Sequence, residues 1–130
     1  MTRLLRLAFW AALLFAFVMA VLPQPPQIPG EPSDKLLHVT AFAVLAFLAP
    51  LAYRAAPMLR IGLLLSAFGA LIEIVQLVPS LHRDGDWIDW VADTAALSAM
   101  LSLVSLARAA QPRRRIAAQP NSKADSVSQA

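Results

Sequence analysis

Residues 59–78 read LRIGLLLSAFGALIEIVQLV. Arg60 stands at one end of this stretch, Glu73 and Gln76 stand near the other, and Ser66 is the only other polar side chain. As a helix, roughly 20 residues at 1.5 Å each span the ~30 Å of a bilayer's hydrocarbon core. A helix of a soluble domain would carry a polar face along its length. This one is apolar all round, so the stretch reads as a membrane crossing.

Working outward, three more runs share this character: roughly Leu4 to Leu22, Leu36 to Tyr53, and Ile88 to Ala107. The breaks between them are chemically distinct. Pro23, Pro25, Pro26, Pro29, Gly30 and Pro32 make a stiff connection that cannot be helical. Arg54 to Arg60 is short and holds Pro57, so the second and third runs form an antiparallel hairpin. Pro79 to Trp87 is a short polar loop. The expected fold is therefore all-α, a polytopic membrane bundle of four transmembrane helices over residues 1–109. Residues 110–130 read as a basic, disordered tail rich in Ala, Gln, Pro, Arg and Ser. The first run has a second reading. Arg3 and Arg6 ahead of an apolar stretch, with Val18-Met19-Ala20 behind, also fit a secretory signal peptide. Either way, the residues that follow lie outside.

The composition agrees. Of 130 residues 58% are hydrophobic and only 15% charged, where a soluble domain has about a quarter charged. The absence of cysteine excludes disulfides, thiolate catalysis and cysteine-based zinc sites. A net charge of +3 raises the question of nucleic acid, but the placement of the cations answers it. Arg3, Arg6, Arg54, Arg60, Arg108, Arg113, Arg114, Arg115 and Lys123 fall on one side of the membrane, and Lys35 and Arg83 on the other. By the positive-inside rule both termini are cytoplasmic. The Arg113-Arg114-Arg115 cluster then reads as an anchor near anionic lipid, with no nucleic-acid partner.

The acids sort the opposite way. Glu31, Asp34, Glu73, Asp84, Asp86, Asp89 and Asp93 fall on or near the outer side, and Asp125 alone lies in the tail. Acids contribute little to topology, so this gathering needs its own explanation. Glu73 lies about five residues inside the outer end of its segment, roughly 7 Å deep. Asp93 is expected at similar depth and His38 slightly shallower. Ionisable groups inside a span are costly and face the bundle interior with a partner. Glu73 also sits near a helix C-terminus, where the dipole opposes negative charge. It needs a proton, a cationic partner or a metal ion; Arg83, Lys35 and His38 are the available partners.

Helical spacing groups these residues. Gly69, Glu73 and Gln76 form one stripe; Asp86, Asp89, Asp93 and Ala96 form another; Asp34 and His38 are four apart. Some have a plainer role. Asp86 and Asp89 suit an N-cap and a first-turn acid, Ser33 and Asp34 suit a second cap, and Trp87 and Trp90 suit interfacial anchoring. Gly62, Ser66 and Gly69, with Ala92, Ala95, Ala96 and Ala99, supply surfaces for close helix packing. A purely structural polar network is the plain alternative for Glu73, Asp93 and His38.

In this order, the residues resemble the VanZ-like membrane family. The resemblance runs over about residues 33–104: Asp34-Lys35 with His38 entering one helix, Gly69 with Glu73 and Gln76 ending the next, then Arg83, Asp89 and Asp93-Thr94 entering the last. The family often has Asn at the position of Asp93 and Gly at that of Ala96. The first departure adds a charge and the second alters one helix contact. The resemblance implies a cell-envelope membrane protein; the founding member is linked to low-level resistance to the glycopeptide teicoplanin. It implies a candidate outer-face site of Asp34, Lys35, His38, Glu73, Gln76, Arg83, Asp89 and Asp93.

Three functions compete. The first is binding or protection of envelope lipids or lipid-linked glycans, with Lys35 and Arg83 on a phosphate and the acids on sugar hydroxyls. The second is a metal-dependent or acid–base hydrolase or transferase acting on a lipid head group, using His38, Glu73, Asp89 and Asp93. No HExxH or phosphate-loop pattern accompanies it. The third is a small proton-coupled transporter, although the ionisable groups stop at the outer layer. The first reading is preferred.

Overall fold

A computed structural model describes residues 1–23, 34–81, 83 and 85–111; for residue 34 the backbone alone is described. It contains four long helices: α1 (Thr2–Val21), α2 (Asp34–Ala52), α3 (Met58–Gln76) and α4 (Trp87–Ala110). A 3₁₀ turn, Pro79–Leu81, lies between α3 and α4. No strand occurs among the described residues. All four helices are long and apolar enough to cross a membrane. The proline-rich connection at residues 24–33 and the tail from residue 112 lie outside the described residues.

The boundaries moved modestly from expectation. α1 begins two residues before its apolar run, because Thr2 and Arg3 add a solvated first turn. α4 continues to Ala110, just past the expected domain limit, with Arg108 in its last turn. α3 stops at Gln76 rather than Val78. Asp86 caps α4 as expected, its Oδ1 accepting the Ile88 N–H at 2.9 Å, and Asp89 is the first-turn acid.

The helices run up and down in alternation. α2 is the centre and packs against the other three. Ala46, Phe42 and Leu45 of α2 are at most 1% exposed, as its central place requires. α1 and α4 flank it, each also touching α3. The interior is a strip of Phe9, Phe42, Leu45, Leu65, Ile72 and Leu97. Large apolar side chains such as Leu7, Phe15, Leu63, Leu71, Leu103 and Leu106 point outward. That inversion of the soluble pattern follows when the surrounding solvent is hydrocarbon.

Two glycines set the helix spacing. A Cβ on Gly62 would lie 3.2 Å from Leu101 Cδ1, and one on Gly69 would lie 3.2 Å from Phe42 Cζ. Both therefore serve close helix approach. Polar side chains between the spans are satisfied locally. Ser98, Ser102 and Ser105 each donate to the carbonyl four residues earlier on their own helix. Trp90 Nε1 donates to the Ser66 carbonyl at 3.0 Å, and Ser66 Oγ meets Thr94 Oγ1 at 3.0 Å. These bonds pin α4 to α3.

At the basic end, the cations cover helix C-termini. Arg108 Nη2 donates to the Pro50 carbonyl and Arg6 Nε to the Ala52 carbonyl. Both carbonyls belong to the last turn of α2, which has no intrahelical donors left for them. Arg6 also lies over the Tyr53 ring at 5.2 Å. The residues that carry the topology signal thus also close the bundle's end.

Candidate functional site

At the opposite end the C-termini of α1 and α3 meet the N-termini of α2 and α4. The polar residues singled out in the sequence collect here, and they divide into three groups with different work.

The first group holds α1 in place. Arg83 Nε donates to the Leu22 carbonyl and its Nη2 to the Met19 carbonyl, both at 2.9 Å. Gln76 Nε2, buried, donates to the Ala20 carbonyl at 3.0 Å. These carbonyls are the unsatisfied acceptors at the end of α1. Two of the eight candidate residues therefore anchor a helix terminus. The packing of Phe9 and Ala20 into the core makes α1 part of the bundle.

The second group lies at the rim. Lys35 Nζ meets Asp89 Oδ1 at 2.8 Å, with the Lys35 side chain 49% exposed and that of Asp89 19% exposed. The pair joins the first turn of α2 to the first turn of α4. Asp34 shares that first turn of α2, and its side chain lies outside the described residues.

The third group is buried. Asp93 is 1% exposed, Glu73 8% and His38 9%. His38 Nδ1 lies 3.5 Å from Asp93 Oδ2 and 3.9 Å from Glu73 Oε1. One imidazole nitrogen thus faces two carboxylates on two different helices. Glu73 Oε2 accepts the backbone N–H of Asp86 at 2.8 Å. Glu73 Oε1 and both oxygens of Asp93 have no hydrogen-bond partner among the described residues. The three residues each offer a ligand atom, all within 4.8 Å of one another.

Their depths follow from the helix ends. Glu73 is in the last turn of α3, about 4.5 Å along the axis from its end. Asp93 lies nearly two turns into α4, about 9 Å from its start. Their ligand atoms, with that of His38, still lie within 4.8 Å of one another. Glu73 is nonetheless buried because the loop after α3 folds back over it. Gly85 permits this: a Cβ there would stand 2.6 Å from the Glu73 carbonyl oxygen. The Asp86 N–H and Gly85 are the site elements that sequence reasoning missed. Their signal was the Asp84-Gly85-Asp86 turn sequence immediately before α4.

The sequence left Glu73 with three possible partners. The structure brings it to His38, while Lys35 pairs with Asp89 and Arg83 reaches the end of α1. The two groups on α2 and α4 form a graded path. Lys35 precedes His38 by about one turn and Asp89 precedes Asp93 by one turn, so each helix presents an exposed and then a buried polar residue on one face.

Comparison with family models, with curated proteins and with solved structures gives no match to this chain. The class defined by fold and site is an all-helical protein with four candidate membrane-spanning helices and a buried histidine–dicarboxylate centre at one end.

Proposed function

We propose that this chain is a VanZ-like protein of the bacterial cytoplasmic membrane. Both termini face the cytoplasm, and it binds the head group of an envelope lipid or lipid-linked glycan at the outer end of the bundle. The observation that carries this reading is the path from the half-exposed Lys35–Asp89 pair to the buried His38–Glu73–Asp93 cluster. Charged side chains in a span are expensive. A chain that keeps several at one level, with carboxylate oxygens lacking donors, is built to receive a polar group from outside. Unpartnered carboxylate oxygens accept sugar hydroxyls well, and Lys35 at the rim suits an anionic head group. The distribution of cations supports the orientation.

Arg83 also has a structural part at this end of the bundle. Its two donations to α1 give it the work of supporting the rim. Lys35 at the rim is then the first cation that an entering head group meets.

A second reading rests on His38 Nδ1 facing two carboxylates: a membrane-embedded hydrolase or transferase acting on the same head group. The transporter reading draws least support, because Ser98, Ser102 and Ser105 turn their hydroxyls onto their own helix.

Native mass spectrometry of the detergent-purified protein, wild type beside Glu73→Gln, tests the binding reading. An anionic or polyprenyl lipid should accompany the wild type and be depleted in the variant. Equal lipid occupancy in both would overturn it.

A further inference from the structure

His38, Glu73 and Asp93 come from three separate helices, α2, α3 and α4. Nothing in helical spacing requires their functional atoms to converge, yet the three lie within 4.8 Å. In apolar surroundings, two facing carboxylates with a single imidazole leave uncompensated negative charge, and burying such charge costs several kcal/mol per ion. Asp93 is almost completely buried, and neither of its oxygens has a hydrogen-bond partner among the described residues. Glu73 is arranged differently on its two oxygens. Oε2 is fixed by the Asp86 N–H, and Oε1 is left facing His38. A backbone donor that orients one oxygen of a carboxylate while the other faces a neighbouring imidazole is the outer-shell support that metal ligands carry.

We infer that His38 Nδ1, Glu73 Oε1 and an oxygen of Asp93 bind one divalent transition-metal cation, Zn²⁺ or Mn²⁺. Coordination positions remain on the side of Lys35 and Asp89 for a phosphate oxygen of the bound head group. The ligand set decides the class of metal. One imidazole and two carboxylates suit borderline and harder first-row ions, and without thiolates they do not favour soft ones. Three protein ligands rather than four mark a centre with room for an exogenous ligand. Ligands on opposite sides of an ion with ~2.1 Å bonds stand about 4.2 Å apart, and the three ligand atoms lie within 4.8 Å of one another. The 3.5 and 3.9 Å separations fall inside that span. Two carboxylates and a divalent ion make a neutral set, which offsets much of the burial penalty.

This inference deepens the head-group reading and answers a difficulty within it. The outer end carries more acids than bases, Lys35 is already matched by Asp89, and Arg83 reaches the end of α1. An anionic head group entering such a site meets net negative charge. A metal ion at the buried cluster reverses that and gives phosphate a direct ligand position.

The test uses the full chain in detergent and the metal alone, so its outcome does not depend on any lipid. Chelator-stripped protein is titrated separately with Zn²⁺ and Mn²⁺, and bound metal is counted by mass spectrometry after desalting. Wild type should retain one ion per chain. Asp93→Asn and His38→Gln, near-isosteric changes, should weaken retention by more than the about 10- to 100-fold that outer-shell changes cause. Ser102→Ala, on α4 and remote from the cluster, should retain the ion. Should the cluster variants fail to fold, X-ray absorption on the loaded wild type decides the matter: a first shell of oxygen with one imidazole is expected. Substoichiometric metal in the wild type, retention by both cluster variants, or a shell lacking imidazole would each overturn the inference. Metal without lipid would leave this site standing and sink the head-group reading; lipid without metal would do the reverse.

Discussion

Glu73 joins two elements through its two oxygens. Oε2 accepts the N–H of Asp86, the N-cap of α4, and Oε1 faces His38 on α2. The same carboxylate closes the α3–α4 loop and completes the buried cluster, so its replacements should separate the two roles. Glu73→Gln keeps an oxygen for the Asp86 N–H and should leave thermal stability in detergent nearly unchanged. Glu73→Ala strands that N–H and should cost about 1–3 kcal/mol. Equal melting temperatures for the two variants would show that the Asp86 bond contributes nothing.

Gly85 should tolerate no side chain. A Cβ there meets the Glu73 carbonyl at 2.6 Å, and the obstacle is backbone, which cannot rotate away. Gly85→Ala should cost about 1–3 kcal/mol as the loop shifts. Gly69→Ala, whose Cβ would press on the Phe42 ring at 3.2 Å, should cost less. The comparison is read from unfolding of each variant in the same detergent.

Arg83→Ala removes two donors from the end of α1, and Gln76→Ala removes a third. Hydrogen bonds to charged donors contribute about 1.5–3 kcal/mol each. Arg83→Ala should accelerate backbone hydrogen exchange in the last turn of α1 while leaving the middle of α2 protected. Uniform acceleration along all helices would show that α1 has no local dependence on Arg83.

Lys35→Ala should separate stability from binding. Half-exposed ion pairs contribute about 0–1 kcal/mol, so melting should hardly change. Retention of an anionic lipid should fall, and Lys35→Arg should restore it. Loss of stability without loss of lipid would make the Lys35–Asp89 pair purely structural.

The proposed orientation is open to a direct check, because the chain has no cysteine and labelling has no background. A membrane-impermeant maleimide should label Ser80→Cys in intact cells and Ser126→Cys only after permeabilisation. The reverse pattern would invert the topology and place the polar centre in the cytoplasm.

The number of helices and their apolar character were legible in the sequence, because crossing hydrocarbon demands about 20 uninterrupted apolar residues and no other pattern substitutes. The gathering of ionisable groups at one end followed from the same helix count. So did the cap at Asp86 and the packing role of Gly62 and Gly69, which depend on neighbours within a turn or on residue size. Which charges meet was a different matter. Helical spacing puts Asp89 and Asp93 on one face of α4, but it does not rotate α4 relative to α2 and α3. Only the packed bundle, with Gly69 against Phe42 and Trp90 bonded to Ser66, sets those rotations. They deliver Lys35 to Asp89, send Arg83 to the end of α1, and leave His38 between Glu73 and Asp93. The sequence by itself determined that a polar centre would exist and at which end. The tertiary structure decided its membership, because convergence of side chains from three helices depends on their mutual rotation and depth, which no local pattern encodes.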